Sequence, residues 1–338
     1  MIIKSSQRTV FLVSVAAVAA GIVMISTFIG FAPSSWHALM ARTSGSIDSE
    51  IIWQIRFPRI CLGLLTGAVL AVGGMAFQAV FRNSLATPYT LGISSGASVG
   101  AALYMKSGLR MNFAGISGVS VASFIAALGA IGIVYGLTRI GRAFSATTLL
   151  LAGVAVSFFF SSVVLFVQYI GDVATSFRVG RWLMGGLEVV GFVPVWQFLP
   201  FATLGLATIV GLTRELDLLT FGGEMASARG VAVTRVKKAV FFATSLMVGG
   251  AVAVAGPIGF VGLIVPHVGR TLIGPQHRYL AIFCLIAGGA FLVACDTVAR
   301  TIIAPVEVPV GIITALLGGP FFLVILLKRR THEVESES

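Results

Sequence analysis

Apolar runs follow one another along the chain, at 9–32, 60–81, 90–105, 112–138, 148–170, 193–212, 279–297 and 308–327, with a longer one over 239–267. Runs of this length predict membrane-crossing helices. As a single helix rising about 1.5 Å per residue, the stretch 239–267 would exceed a hydrocarbon core of about 30 Å by roughly a third. Its middle reads Ala255-Gly-Pro-Ile-Gly-Phe260. Gly256, Pro257 and Gly259 there predict a break into one full span and a short returning one. The pattern therefore predicts an all-α polytopic membrane protein. It has about ten transmembrane helices in a single domain, 1–338, with both termini on one side and a short polar tail at 328–338.

One segment departs from this pattern. Residues 213–238 form a charged island between two apolar runs, carrying Arg214, Glu215, Asp217, Glu224, Arg229, Arg235, Lys237 and Lys238. Leu216 and Leu219, then Glu224, Ala228 and Arg229, are placed as in short amphipathic helices, among the glycines Gly222, Gly223 and Gly230. A structured polar loop of this kind predicts a soluble partner docked on it; a plain solvated loop is the competing reading.

Composition agrees with a membrane protein. Hydrophobic residues make up 57% of the chain, charged residues 10%, and mean hydropathy is +1.01. The net charge of +11 invites a nucleic-acid reading, but no basic patch is interleaved with aromatics, so no nucleic-acid partner is expected. Basic residues in membrane proteins gather at cytoplasmic loops instead. With the N-terminus inside, fifteen of the 23 Lys and Arg fall on the inner side and eight on the outer. That bias puts both termini in the cytoplasm. The first run follows Lys4 and Arg8 as a signal peptide would, but it is longer than a usual h-region and is read as a retained span.

Candidate chemistry is sparse. Cys61, Cys284 and Cys295 lie in apolar runs without CxxC spacing and read as small buried hydrophobes. His267 and His277 sit near the inner surface without a cysteine or carboxylate cluster at ligand spacing, and His37 and His332 stand alone, so no metal site is expected. No phosphate-binding Gly-x-x-x-x-Gly-Lys-Ser/Thr loop occurs, so the chain binds no nucleotide itself. Span centres lack acids and bases, which weighs against an ion-coupled secondary transporter. No catalytic constellation marks a membrane enzyme.

Three further blocks accompany the island. The first is Arg56-Phe-Pro-Arg59, with Gly67-Ala-Val-Leu-Ala71, Gln78, Arg82-Asn-Ser-Leu-Ala-Thr-Pro88, Leu91-Gly92 and Gly96-Ala97. The second is Gly259-Phe-Val-Gly-Leu-Ile-Val-Pro-His267, Arg270 and Gly274-Pro-Gln-His-Arg278. The third is Asp296, Ala299-Arg300, Ala304-Pro305, Glu307-Val-Pro-Val-Gly-Ile312 and Gly318-Gly-Pro-Phe-Phe322. In this order, and with Gly223-Glu224 and Ala228-Arg229-Gly230-Val231, they resemble the permease subunits of type II ABC importers for iron-siderophores, haem and vitamin B12, over about residues 50–328. Ser84 stands where the family usually has Pro, and Gln276 where an acid is common.

The resemblance implies a bacterial cytoplasmic (inner) membrane protein. It works with a second permease copy or a paralogue, two ATPase subunits that hold ATP and Mg, and an extracytoplasmic substrate-binding protein. The substrate is a metal chelate, a ferric siderophore first, with cobalamin or haem as alternatives. It further implies that Arg56, Arg59 and Arg300 receive carboxylates of the binding protein, with interfacial snorkelling as the competing reading. Leu219, Gly222, Gly223, Glu224, Ala228, Arg229 and Gly230 would couple to the ATPase. Asn83 and Leu85 with Ser145 and Ala146 would form a cytoplasmic gate. Ser157, Ser161, Gln168 and Met184, on the fifth span and its outer continuation, would line the pathway.

Overall fold

A computed structural model describes residues 5–30, 47–113, 115–140 and 146–337. The described chain is almost wholly helical. Helix α1 is Ser5–Phe28 and α2 is Phe57–Phe81, entered directly from a wider π-type turn at Ile51–Arg56. Then follow α3 (Ile93–Ser107), α4 (Gly118–Ile140), α5 (Ala146–Tyr169), α6 (Val173–Leu183) and α7 (Val193–Gly211). Two short helices, α8 (Thr213–Thr220) and α9 (Gly223–Ala228), precede α10 (Val233–Ala255), α11 (Val261–Ile273), α12 (His277–Thr301) and α13 (Val310–Glu337). A two-residue antiparallel ladder, Asn112–Phe113 with Ile116–Ser117, turns the chain between α3 and α4.

Seven of these helices are long and apolar enough to cross a membrane. With the shorter apolar helices α11 and Val310–Ile325 of α13, and the 15-residue α3 beside them, the described residues come close to the expected ten. The helix of α13 runs on through the tail to Glu337.

At the centre stands α2, buried along nearly its whole length and packed against α7, α10, α11 and α12. Lipid offers no hydrophobic incentive for helices to associate, so close backbone approach at small residues has to hold them together. The glycines of α2 supply it. A Cβ at Gly67 would collide with the carbonyl of Gly288 in α12, and one at Gly74 with the carbonyl of Gly262 in α11. The opposite condition holds on α4 and α5, where Ile125, Leu128, Phe158, Phe159, Leu165 and Phe166 leave an apolar face uncovered within this chain.

The break predicted in 239–267 is present. Helix α10 ends at Ala255, Gly256 takes φ +66 and Phe260 φ +67, and α11 restarts at Val261. Gly262, at the restart, lies against Leu70 and Gly74 near the middle of α2, so this irregular backbone sits at bilayer depth. Such backbone is tolerated there only when protein satisfies it. The Ile258 amide donates to the Tyr89 hydroxyl (3.2 Å), and the Ala255 carbonyl accepts from Gly186 (2.8 Å). Nearby, Gly311 donates to the Gly185 carbonyl (3.3 Å), closing the turn after α6 against the start of α13.

Candidate functional site

The island 213–238 folds into the pair α8 and α9. Its apolar positions divide the labour. Leu216 and Leu219 are buried under α8, and Ala226 under α9. Leu219 is 2% exposed, part of the buried face of α8, a helix that packs against α2 and α12. Glu224, Ala228, Arg229 and Gly230 are exposed, as are Phe221 (72%) and Met225 (53%), which the sequence reading passed over. Gly222 (φ +116) opens α9, and Gly230 (φ +83) turns the chain towards α10. Phe221, Gly222, Gly223, Glu224, Met225, Ala228 and Arg82 together line a hollow of about 690 Å³. An exposed aromatic and a flexible methionine at the rim of a concave surface suit a docked protein.

Helix α8 is pinned by Asp217. Its Oδ1 accepts the backbone N–H of His277 at 2.8 Å and faces the ring Nδ1 of the same residue at 2.6 Å. The loop is thereby fastened to the first residue of α12.

At the α2 end of the expected gate, Arg82 caps the helix in the left-handed conformation (φ 50). Asn83 Oδ1 accepts from the amide of Leu85 (2.9 Å), and the Asn83 carbonyl from Ala86 (3.1 Å). This side-chain turn keeps the segment compact with Ser84 in place of a proline. Asn83 and Leu85 are exposed at its tip. Ser145 lies outside the described residues, and Ala146 is the first residue of α5.

The opposite end of α2 differs from expectation. Arg56, Arg59 and Arg300 do not form an outward-facing patch; each is only 3–5% exposed. Arg56 donates to the carbonyls of Thr27 (2.9 Å) and Phe28 (3.1 Å), and Arg300 to those of Ser26 and Ile29 (both 3.3 Å). These are the orphan carbonyls at the C-terminus of α1, where the helix dipole also favours cations. Arg59 grips both oxygens of Asp296 (2.9–3.1 Å) and reaches Glu307 at 2.6 Å, while Arg300 Nε lies 3.1 Å from Asp296. Three guanidinium groups thus answer two carboxylates and a helix end. Their burial follows, because each charge has an internal partner to satisfy.

Of the expected pathway positions, Ser157, Ser161 and Gln168 share one stripe of α5 by helical spacing. Ser161 is exposed, and the other two are half-buried. Met184, 46% exposed, lies on the turn after α6. That turn adjoins a cavity of about 300 Å³ lined by Arg178, Arg181, Trp182, Gly185, Glu188, Gly256 and neighbours. Helix α6 begins at Asp172, whose Oδ1 accepts the amide of Thr175 (3.1 Å). Hydrogen bonds from Thr175 hold the Asp172 carboxyl below its ordinary value. From that cap, α6 carries Arg178 and Arg181 on one side. Arg181 pairs with Glu188 at 2.8 Å, and Arg178 donates to the Thr175 hydroxyl (3.0 Å) and adds a weaker attraction to the charge of Asp172. Neither arginine was singled out from sequence, because the segment reads there as part of an outer loop.

Comparison with known proteins supplies the family. The FecCD transport family profile matches residues 13–328. The chain is 42% identical to the cobalamin import system permease protein BtuC of Halobacterium salinarum, covering 83% of this chain and 74% of that one. It is 40% identical to the hemin transport system permease protein HmuU of Yersinia pestis, covering 82% and 84%. A solved metal-chelate type ABC transporter in an inward-facing conformation superposes with a TM-score of 0.84 at 29% identity, over 94% of this chain and 99% of the other.

Proposed function

The chain belongs to the FecCD transport family and is a multi-pass ABC importer permease of the metal-chelate type; from that premise we propose that its cargo is an anionic iron chelate, a ferric siderophore. The observation that carries this reading is the cavity beside α6. Arg178 forms no ion pair at contact distance among the described residues and feels Asp172 only as a weaker attraction, and the Arg181–Glu188 pair is half exposed beside it. A guanidinium without a contacting carboxylate, in a cavity at the end of an apolar bundle, attracts carboxylate or other anionic oxygens. In the assembly proposed here, a second copy or a paralogue brings a second such arginine to a shared pathway. Two ATPase subunits holding ATP and Mg sit on α8 and α9. An extracytoplasmic binding protein docks near the Arg59 cluster, and both termini face the cytoplasm of a bacterial inner membrane. Cobalamin and hemin are the competing cargoes, since similar proteins are named for them.

Uptake into vesicles holding the assembled importer tests the cargo. Arg178→Gln should lower uptake of an anionic ferric siderophore by more than about tenfold, the effect of one lost charged hydrogen bond. Uptake of cyanocobalamin but no ferric siderophore would overturn the reading, as would unchanged siderophore transport by the variant.

Coupling makes a separate prediction. Gly230 has φ +83 with open space around it, so a β-branched residue is opposed by the backbone and not by a neighbour. Gly230→Val should reduce ATPase association and uptake while membrane insertion stays normal. Unchanged association in Gly230→Val, Glu224→Ala and Arg229→Ala alike would remove α9 from the coupling surface.

A further inference from the structure

A second cationic cavity lies between the gate turn and the coupling helices. It measures about 330 Å³ and is lined by Gln78, Arg82, Asn83, Thr220, Arg270 and His277, among others. The lining residues come from the end of α2 and its turn, the end of α8, the α11 helix and the start of α12. They include two arginines and two histidines, and no carboxylate. Arg270 is half-buried, yet no ion pair or hydrogen bond joins either Arg270 or Arg82 to a carboxylate among the described residues.

The strongest observation is His277. Its side chain is 2% exposed, its Nδ1 is taken by Asp217, and its Nε2 has no partner. A buried polar atom without a partner costs free energy that a native structure normally recovers from a ligand or water. With Nδ1 facing Asp217, Nε2 is the ring nitrogen left to meet a ligand. Gln78, 4% exposed, gives its amide nitrogen to the Gly262 carbonyl (3.1 Å) and leaves its oxygen unpartnered, ready to accept the O–H of a protonated oxyanion. The Asn83 oxygen is committed to Leu85, so its amide nitrogen is the group left to donate.

We infer that this cavity is an anion site for a phosphate group. Two guanidinium forks, an imidazole and an amide surround a volume that would hold on the order of ten waters, enough for a phosphate oxyanion with its remaining hydration. Arg is the residue suited to that geometry, and basic pockets between membrane helices at the cytoplasmic side are where phosphate headgroups bind. The source is either free inorganic phosphate or the headgroup of an anionic lipid. The consequence is mechanical. Arg82 lines both this cavity and the α8–α9 hollow, and His277 is tied to α8 through Asp217. A bound phosphate would therefore clamp the gate turn, α8 and the start of α12 into one unit.

The full-length chain, purified in detergent, would be titrated with inorganic phosphate and followed by thermal unfolding. In parallel it would be placed in nanodiscs of phosphatidylcholine, with and without phosphatidylglycerol. The wild type should be stabilised by phosphate, by phosphatidylglycerol, or by both, and Arg82→Gln/Arg270→Gln should weaken that response by more than about tenfold. A response to phosphate in detergent assigns the site to the free ion; a response to phosphatidylglycerol alone assigns it to the lipid. Arg82 is exposed on a turn, so Arg82→Gln alone keeps the fold and still tests the site if the double variant fails to accumulate. Wild type and variants that respond identically, or a wild type that responds to neither probe, would overturn the inference.

Discussion

Arg59→Ala should melt far below the wild type, with a loss of about 3–5 kcal/mol, the range for removing one member of a buried ion pair. Asp296 is 2% exposed, and both of its oxygens are held by Arg59. Alanine would strand that carboxylate inside the bundle with Arg300 as its remaining partner. Glu307 serves as the internal control: its side chain is 39% exposed, so Glu307→Gln removes a contact from a group that water can still reach, and it should cost far less. Thermal unfolding of detergent-purified variants separates the two. Equal melting temperatures for Arg59→Ala and wild type would show that the cluster contributes nothing to folding. The same geometry changes how a docking experiment must be read. Charge reversal at Arg56 and Arg59 would remove the contacts to the Thr27 and Phe28 carbonyls and leave Asp296 with Arg300 alone, so a loss of binding-protein affinity would report folding as much as docking.

Gly74→Ala should be nearly as damaging, although it adds one methyl group. That methyl would meet the Gly262 carbonyl and its neighbouring backbone atoms, and backbone cannot turn aside as a side chain can. Helices α2 and α11 would have to separate, at or above the about 1–3 kcal/mol usual for overpacking. The same exchange at Gly136 on α4, with nothing within 4 Å of the added atom, should be harmless or stabilising by up to about 1 kcal/mol through helix propensity. If Gly74→Ala and Gly136→Ala melted alike in detergent, close approach at α2 would not be what holds the bundle together.

These two sites show where sequence reading succeeds and where it stops. Small residues that recur within one span, as in α2 and α12, mark a packing face without naming its partner. The Gly256–Gly259 break was legible because proline and glycine act locally on the backbone. The island 213–238 was legible through its contrast with the runs around it, down to its division into two short helices. Arg59 and Asp296 were not legible as a pair, since 237 positions separate them and only the packing of α2 on α12 brings them together. The contacts of Arg56 and Arg300 with the end of α1 were hidden for the same reason: a helix terminus does not announce in sequence which distant side chains will cap it. At Leu219 an amphipathic helix shows that one face is buried without saying against what.

The interruption between α10 and α11 also bears on how the chain is made. Helix α11 has 13 residues, so it is about 20 Å long, against the roughly 20 residues that a span needs to cross the lipid core unaided. With Arg270 in its last turn and an irregular backbone leading into it, it is a poor candidate for insertion by itself. Its shelter comes from α2, synthesised long before it, and from α12, which follows it. Helix α11 therefore reaches its final depth only once α12 has been delivered to the membrane. A chain truncated after Ile273 is then expected to leave α11 short of the bilayer, and one extended through Thr301 to bring both helices in together, as accessibility mapping would read.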